Sequence, residues 1–160
     1  MPIAALRETL TKSPSLLHEI HPIKCEELVG AVLRDHMDCE VKHVGRTGDG
    51  GIDLILISGS TQFVVQVKRR VDPQSTEGIV PIRELIGAMI LGEHKNGIFV
   101  STSKTFSKAA KLAASVVPAK TKNIEKLELI DCRTFVELLH LTGPQITQPW
   151  QDRNWRKEFW

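Results

Sequence analysis

The order of helical and strand-like segments constrains the fold of this chain more than any other feature of its sequence. A short helix and then an amphipathic helix precede three strand-like runs, and two alternations of helix and strand follow before a last helix. Four helices are predicted near residues 3–11, 22–36, 81–93 and 106–117, and Asp131 is predicted to cap a last helix that ends near residue 141. The strands are predicted at 39–44, 52–57, 62–70, 97–100 and 127–130. This order predicts an α/β fold with a mixed central sheet flanked by helices.

Composition limits the class of protein. The chain has 160 residues, of which 41% are hydrophobic and 25% charged, as in one ordinary globular domain. Its net charge is only +2, so a nucleic acid could be bound only by a local patch of basic residues. Apolar runs are too short to span a membrane, and residues 1–20 lack a signal-peptide pattern, which predicts a cytoplasmic protein without a membrane partner. The three cysteines, Cys25, Cys39 and Cys132, form no metal-binding or disulfide pattern and are predicted to be reduced.

The turn between the second and third strands predicts which side chains share a face. Gly59 as the first central residue of a two-residue loop is typical of a type II′ hairpin. In that register Asp53 lies opposite Gln66, and Lys68 shares their face by alternation. An aspartate in an apolar strand needs a partner such as a lysine or a divalent cation. A structural Asp–Lys pair is the alternative interpretation. The shared face also depends on the loop length, because a loop with an odd number of residues would no longer place Asp53 on the same face as Gln66 and Lys68.

The helix at 22–36 contributes a further acid. At about 100° per residue, Glu26 flanks the apolar stripe, whereas Glu27 points away from it. We therefore expect Glu26 to reach toward the sheet and Glu27 to be solvated, although a glutamate on a helix flank is often only a surface residue.

The glycine-rich stretch at residues 45–51 is not a phosphate-binding loop, because it precedes a strand, opens no helix and lacks the Gly-Lys-Ser/Thr ending. Its glycines are predicted to turn the chain sharply into the strand and to leave the entrance of that strand open to a substrate.

Taken together, these residues resemble a known family. Glu26, the run Gly48-Asp49-Gly50-Gly51-Ile52-Asp53-Leu54 and the run Val65-Gln66-Val67-Lys68-Arg69 resemble the Mrr-like branch of the restriction-endonuclease-like, PD-(D/E)XK nucleases. Residues 97–103 and 106–110 are similar to the strand and helix that follow the core of that family. The resemblance implies a restriction-endonuclease-like αβββαβ core, in agreement with the order of elements above.

The resemblance covers about residues 22–117, and the sequence differs from the family pattern in two respects. Cys25 stands where the family often has phenylalanine, which concerns packing alone. Residues 1–21 are too few for the winged helix of longer relatives, so target choice is left open.

The resemblance implies metal-dependent hydrolysis of DNA phosphodiester bonds. Asp53 is then the principal Mg²⁺ ligand, with the Val67 carbonyl and Glu26 as further ligands and Mn²⁺ as a substitute. Gln66 replaces the commoner acid of the superfamily, which removes one charge from the site. Lys68 would orient the attacking water and stabilise the charge that develops on the phosphate. Asp49 is a candidate for a supporting contact.

Charge is distributed unevenly along the chain. Residues 19–53 hold eight acids and four bases, whereas residues 101–126 hold six lysines and one glutamate. An acidic centre beside a basic surface suits a nuclease. The predicted DNA-binding residues are Arg69, Arg70, Lys104, Lys108 and Lys111. The three lysines recur at i, i+4 and i+7, and an ordinary solvated helix face is the alternative interpretation.

The domain prediction divides the chain into a helical extension at 1–21, a nuclease domain at 22–141 and a tail at 142–160 that contains all three tryptophans. The tryptophans are predicted to dock on the domain or on a second subunit, which favours a homodimer. The function predicted is a DNA endonuclease of restriction or defence type, with a larger recognition subunit as a further candidate partner. The alternatives are a catalytically silent DNA-binding module of the same fold and a junction-resolving nuclease.

Overall fold

The computed structural model describes residues 1–45 and 51–142. Its helices are α1 (Ile3–Lys12), α2 (Pro22–Met37), α3 (Ile79–Leu91), α4 (Lys108–Lys120) and α5 (Cys132–Thr142), with a 3-10 helix at Pro14–His18. Its strands are β1 (Glu40–His43), β2 (Leu54–Ser58), β3 (Thr61–Lys68), β4 (Thr76–Glu77), β5 (Asn96–Ser101), β6 (Thr105–Phe106) and β7 (Lys126–Ile130). The predicted order of the longer elements is therefore confirmed.

A mixed five-stranded sheet forms the centre of the fold. Its strand order is β1-β2-β3-β5-β7, with β1, β2 and β3 antiparallel and β3, β5 and β7 parallel. The parallel half arises because α3 and α4 each carry the chain back across the sheet before the next strand. The carboxyl ends of β3, β5 and β7 consequently lie at one edge, which is where Lys68 ends β3.

The hairpin between β2 and β3 has the predicted register. Ser58 pairs with Thr61 and Leu54 pairs with Val65. Gly59 has φ +60°, and Ser60 has a negative φ, which is the pattern of a type II′ turn. Glycine is required at this position because a Cβ atom is strained at such a φ.

Two hydrophobic layers cover the sheet. On one face, residues of α1, α2 and α5 pack with Val65 and Val67. On the other face, residues of α3 and α4 pack with Val64. The alternation of Val64, Val65 and Val67 between the layers is the period of two expected for a strand covered on both faces.

The structure corrects the sequence prediction between β5 and α4. The sequence predicts that residues 101–105 cap a helix from 106, but α4 begins at Lys108 with Ser107 as its N-cap, whose side chain accepts from Ala110 N–H at 3.1 Å. Thr105 and Phe106 instead form β6, which pairs with β4. Lys104 therefore does not belong to the helix. Strands of two residues lack a hydrophobic period long enough to read, and this is why the sequence predicts neither of them.

The three cysteines are free thiols, as predicted. Burial raises the pKa of Cys25 to about 12, so this thiol stays protonated at neutral pH. No helix within residues 1–45 and 51–142 is long and apolar enough to cross a membrane. Asp49, in the glycine-rich stretch, and the tryptophan-containing tail lie outside the described residues.

Candidate active site

Asp53 stands where the regular pairing of β2 with β3 ends. Leu54 is paired with Val65, yet the Asp53 N–H also lies against Val65, donating to its carbonyl at 2.8 Å. Two successive residues, Asp53 and Leu54, thus lie opposite the single residue Val65, as at a β-bulge. A bulge changes the direction of a side chain. Asp53 Oδ2 accepts from Val67 N–H at 2.7 Å. The predicted pairing of Asp53 directly across from Gln66 is therefore replaced by a contact with the main chain of Val67.

The main chain of β3 brings a second oxygen to Asp53. Along an extended strand, the N–H and C=O of one residue point to the same side, and those of the next residue point to the other side. The Lys68 carbonyl accepts from Thr102 N–H at 3.1 Å on the β5 side. The Val67 N–H points toward Asp53, so the Val67 carbonyl faces the same side as that carboxylate.

Glu26, on α2, completes an acidic pair beside Lys68. Burial raises the pKa of Glu26 above its ordinary value, the charge of Asp53 raises it further, and Lys68 opposes the shift. Both Asp53 and Lys68 therefore lie within electrostatic range of Glu26. Glu27, its neighbour, pairs with Lys24 at 2.9 Å; its side chain is 36% exposed and borders the same groove between α1, α2 and β1 as Glu26 does.

Glu26 and Asp53 line a groove of about 1170 Å³. It runs between α1, α2 and β1 and includes Arg34 and His43 on its walls. These two residues carry no sequence motif, and only the packing of α2 beside β1 places them in the same groove as the carboxylates.

Gln66 lies beneath the entrance to β2. Its side chain is only 1% exposed, and its Oε1 has no hydrogen-bond partner among the described residues. A Cβ added to Gly51, which has φ +88°, would lie 2.6 Å from Gln66 Nε2. Glycine is thus needed at residue 51 both for its backbone conformation and for the space taken by the Gln66 amide.

The oxygen atoms at this position fit a hard divalent cation. Two carboxylates and one carbonyl are the donors that Mg²⁺ and Mn²⁺ prefer, and Mg²⁺ keeps several waters. Gly45 leaves room at Asp53, because a Cβ there would lie 2.8 Å from Oδ1. Within the described ranges, no three His, Cys, Asp or Glu side chains converge as a metal site. A cation held here would therefore take its remaining ligands from water and substrate.

Two of the predicted DNA-binding residues also bind groups of the protein itself. Arg69 Nη1 donates to the His18 carbonyl at 3.4 Å, and Arg69 Nε is buried. Arg70 forms a double hydrogen bond with the buried carboxylate of Glu77, which also raises the pKa of Arg70. The sequence predicts Arg70 as a phosphate contact, and the structure shows that its side chain, 41% exposed, also pairs with Glu77. The Thr76-Glu77 segment reads as loop in the sequence, so this pairing of Arg70 has no sequence signal.

The three predicted lysines are exposed, but they do not share one helix. Lys108 and Lys111 lie three residues apart in the first turn of α4. Lys104 lies in the loop before β6, where its Nζ donates to Gln74 Oε1 at 3.3 Å. The predicted stripe is therefore formed by a helix end together with a neighbouring loop.

Comparison with known proteins decides the family of the chain. A family model for the Mrr catalytic domain, described as a restriction endonuclease, matches residues 17–139. The chain belongs to this restriction endonuclease family. The match includes Glu26, Asp53, Gln66 and Lys68. Membership supports a DNA endonuclease of restriction or defence type, and divalent-metal dependence is general in the family.

This restriction endonuclease domain is 32% identical over 131 residues to the type IV methyl-directed restriction enzyme EcoKMrr of Escherichia coli (strain K12). The alignment covers 77% of the chain and 39% of that enzyme, so the chain spans about two fifths of the relative's length. The crystal structure of a protein of unknown function, AF1548, superposes with a TM-score of 0.55 at 17% identity, covering 82% of this chain and 76% of that one. This second likeness concerns the fold alone.

Proposed function

We propose that this chain is a divalent-metal-dependent DNA endonuclease domain whose active centre consists of Glu26, Asp53, the Val67 carbonyl and Lys68. The observation that carries the proposal is the hydrogen bond from Val67 N–H to Asp53 Oδ2 at 2.7 Å. It holds a carboxylate at the side of β3 where the Val67 carbonyl points, and Lys68 is the next residue. Mg²⁺ is the proposed cation, with Mn²⁺ as a substitute.

Each side chain has a separate task in this proposal. When bound, a divalent cation lowers the pKa of a ligated water and neutralises charge on the scissile phosphate. Asp53 and Glu26 supply the negative charge that holds the cation. Lys68, at the end of β3, orients the attacking water and stabilises the charge that develops on the phosphate oxygens. Gln66, buried against Gly51, fixes the entrance of β2 and so the direction of Asp53.

DNA is the proposed substrate, and methylated DNA is the first class to test, since the similar enzyme from E. coli is named methyl-directed. We propose a homodimer for double-strand cutting, because one chain supplies one active centre. A larger recognition subunit and a cytoplasmic location also stay predictions.

Cleavage of plasmid DNA tests the function. Supercoiled plasmid, its methylated form and a branched duplex are incubated with the purified protein in Mg²⁺, Mn²⁺, Ca²⁺ or EDTA. Nicked or linear products that appear with Mg²⁺ or Mn²⁺ and disappear with EDTA support the proposal. DNA binding without cleavage under every condition would favour a silent binding module, and cleavage of only the branched duplex would favour a junction-resolving nuclease.

A further inference from the structure

A buried carboxylate lies on the far side of β3 from the proposed cation site. Glu77, in β4, is 3% exposed and accepts three hydrogen bonds. Arg70 Nε donates at 2.9 Å, Arg70 Nη2 at 2.7 Å and Ser101 Oγ at 2.9 Å. A charge buried to this extent is tolerated only when it is paired and hydrogen-bonded. Glu77 therefore joins the chain beyond β3 to the end of β5.

Thr102 makes a second connection at the same place. Its Oγ1 accepts from Arg70 N–H at 2.6 Å and donates to the Arg70 carbonyl at 3.0 Å. Its own N–H donates to the Lys68 carbonyl at 3.1 Å. One residue thus binds the main chain of Lys68 and, two residues later, both main-chain groups of Arg70. The ladder between β3 and β5 is extended past the last paired residues, Lys68 and Ser101.

The loops beyond these strands belong to the same hydrogen-bonded unit. Ser107 N–H donates to the Glu77 carbonyl at 2.9 Å, and Lys104 N–H donates to the Ser75 carbonyl at 3.0 Å. The hydroxyl groups of Ser75 and Ser103 lie 3.0 Å apart. The loop that carries Lys104 is therefore attached to the segment that follows Lys68.

We propose that Glu77 and Thr102 are positioning residues. They hold the end of β3 in place, so that the Lys68 side chain is directed at the proposed active centre. A strand end without such contacts frays, and a lysine has a flexible stem whose reach depends on where its Cα is held. Arg70 belongs to this clamp through its two hydrogen bonds to Glu77. The inference rests on the function proposed above, since it assigns the clamp to the action of Lys68.

Thr102→Val tests the clamp with little change of shape, because it removes only the hydroxyl. We expect kcat to fall between about tenfold and a hundredfold, as for a displaced catalytic group. KM and the affinity for DNA in Ca²⁺ should stay within about twofold, since the variant keeps every group that meets DNA. Thr102→Ser keeps the hydroxyl and should restore most of kcat. Thr11→Val is the matched control, because it removes a hydroxyl bond to the Arg7 carbonyl in α1, remote from Lys68.

Amide hydrogen exchange provides a readout that does not depend on cleavage. The amides at residues 68–70 should exchange faster in Thr102→Val and in Glu77→Gln than in the wild type, whereas Thr102→Ser should resemble the wild type. Arg70→Ala combined with Glu77→Ala should lower kcat no more than the more damaging single variant, because the two residues act as one pair.

The outcomes separate the two proposals. A wild-type protein that cuts no DNA overturns the proposed function, and exchange at residues 68–70 then still shows whether the clamp holds β3. Wild-type kcat in Thr102→Val, or an equal loss in Thr11→Val, overturns the positioning role while the nuclease assignment stands. Weaker DNA binding by Arg70→Ala that Glu77→Gln and Thr102→Val do not reproduce would show that Arg70 acts as a DNA contact and not as part of the clamp.

Discussion

The two ends of β3 are built differently. At the hairpin end, Ser58 and Thr61 pair in the register set by the turn, and Gly59 has open space around it. At the other end, Asp53 departs from that register by one position, and the buried Gln66 Oε1 has no hydrogen-bond partner in the described part of the chain. The main chain beyond β3 is held by the side chains of Thr102 and His18, which come from other parts of the molecule. Regular pairing thus gives way to individual polar contacts toward the candidate site.

This difference has a physical basis. A hairpin needs only local chemistry, because a suitable turn residue and alternating side chains specify the register. A cation site needs oxygen atoms directed at one point, and straight, fully paired strands direct them into ladder bonds instead. Bulges and buried polar contacts supply the required directions at a cost in stability, and this is why they gather near active sites.

Loss of the charges at the catalytic end should have the largest effect. Asp53→Asn keeps an oxygen that can accept from Val67 N–H but loses the charge that holds a cation, and Lys68→Ala removes the ammonium group. We expect each to lower metal-dependent cleavage by at least about a hundredfold. Cation binding, measured by calorimetry, should be abolished in Asp53→Asn and largely kept in Lys68→Ala. Gln62→Ala, at the exposed hairpin end, should change cleavage less than about twofold; full activity of either active-site variant would remove that residue from the mechanism.

A matched pair of glycine substitutions compares the two ends directly. Gly51→Ala and Gly59→Ala both place a Cβ at positive φ, and each should lower the free energy of unfolding by about 1–2 kcal/mol in urea titrations. Gly51→Ala should also lower cleavage by about tenfold or more, since its Cβ displaces Gln66. Gly59→Ala should leave cleavage unchanged when assayed well below its melting temperature. Similar kinetic losses in both would show that strain alone, at either end, governs activity.

The adjacent glutamates of α2 should differ in activity. Glu26→Gln should lower cleavage by about tenfold and raise the Mg²⁺ concentration needed, because it removes one of two nearby carboxylate charges. Glu27→Gln should change neither quantity, since Glu27 pairs with Lys24. Titration of the rate against Mg²⁺ checks this, and equal effects of the two substitutions would contradict the assignment.

The Glu26→Gln and Glu27→Gln variants should also differ in how their stability depends on pH. The pKa of Glu26 is raised in the folded protein, so the folded state binds this proton more tightly than the unfolded state. The ionised form is therefore destabilising, and stability is lost as pH rises from about 4.5, the ordinary value, through the folded pKa. Without metal, Glu26→Gln should melt at a higher temperature than the wild type at about pH 7, whereas Glu27→Gln should not. The difference should vanish below about pH 4, and its persistence there would exclude ionisation as the cause.

The lysines of the basic surface should have the smallest individual effects. Removal of each phosphate interaction should flatten the plot of log K against log salt by about 0.9, so the triple substitution of Lys104, Lys108 and Lys111 with alanine should flatten it by roughly 2 to 3. Affinity in Ca²⁺ at several salt concentrations measures this slope. Lys95→Ala and Lys126→Ala, at the opposite edge of the sheet, serve as controls. An unchanged slope in the triple variant would place the DNA elsewhere.

Much of the fold could be predicted because its elements are long and periodic. The stripe on α2, the type II′ hairpin and the cap of α5, where Asp131 accepts from Thr134 N–H at 2.9 Å, all depend on neighbours in sequence. The short strands β4 and β6 could not be predicted, since two residues carry no period. The pairing of Arg70 with Glu77 could not be predicted for a related reason: nothing in the sequence indicates that Glu77 would be buried beside it. The role of Arg70 in DNA binding stays a prediction.

The sequence by itself determined the order of strands and helices, the hairpin register and the residue types of the candidate site. It did so because turn chemistry and hydrophobic period act over a few residues. Only the tertiary structure decided that Asp53 turns to Val67, that Glu26 lies within range of Asp53 and Lys68, and that Arg70 pairs with Glu77. These outcomes depend on contacts between residues far apart in the chain, where the burial of one polar group determines which partner it must find.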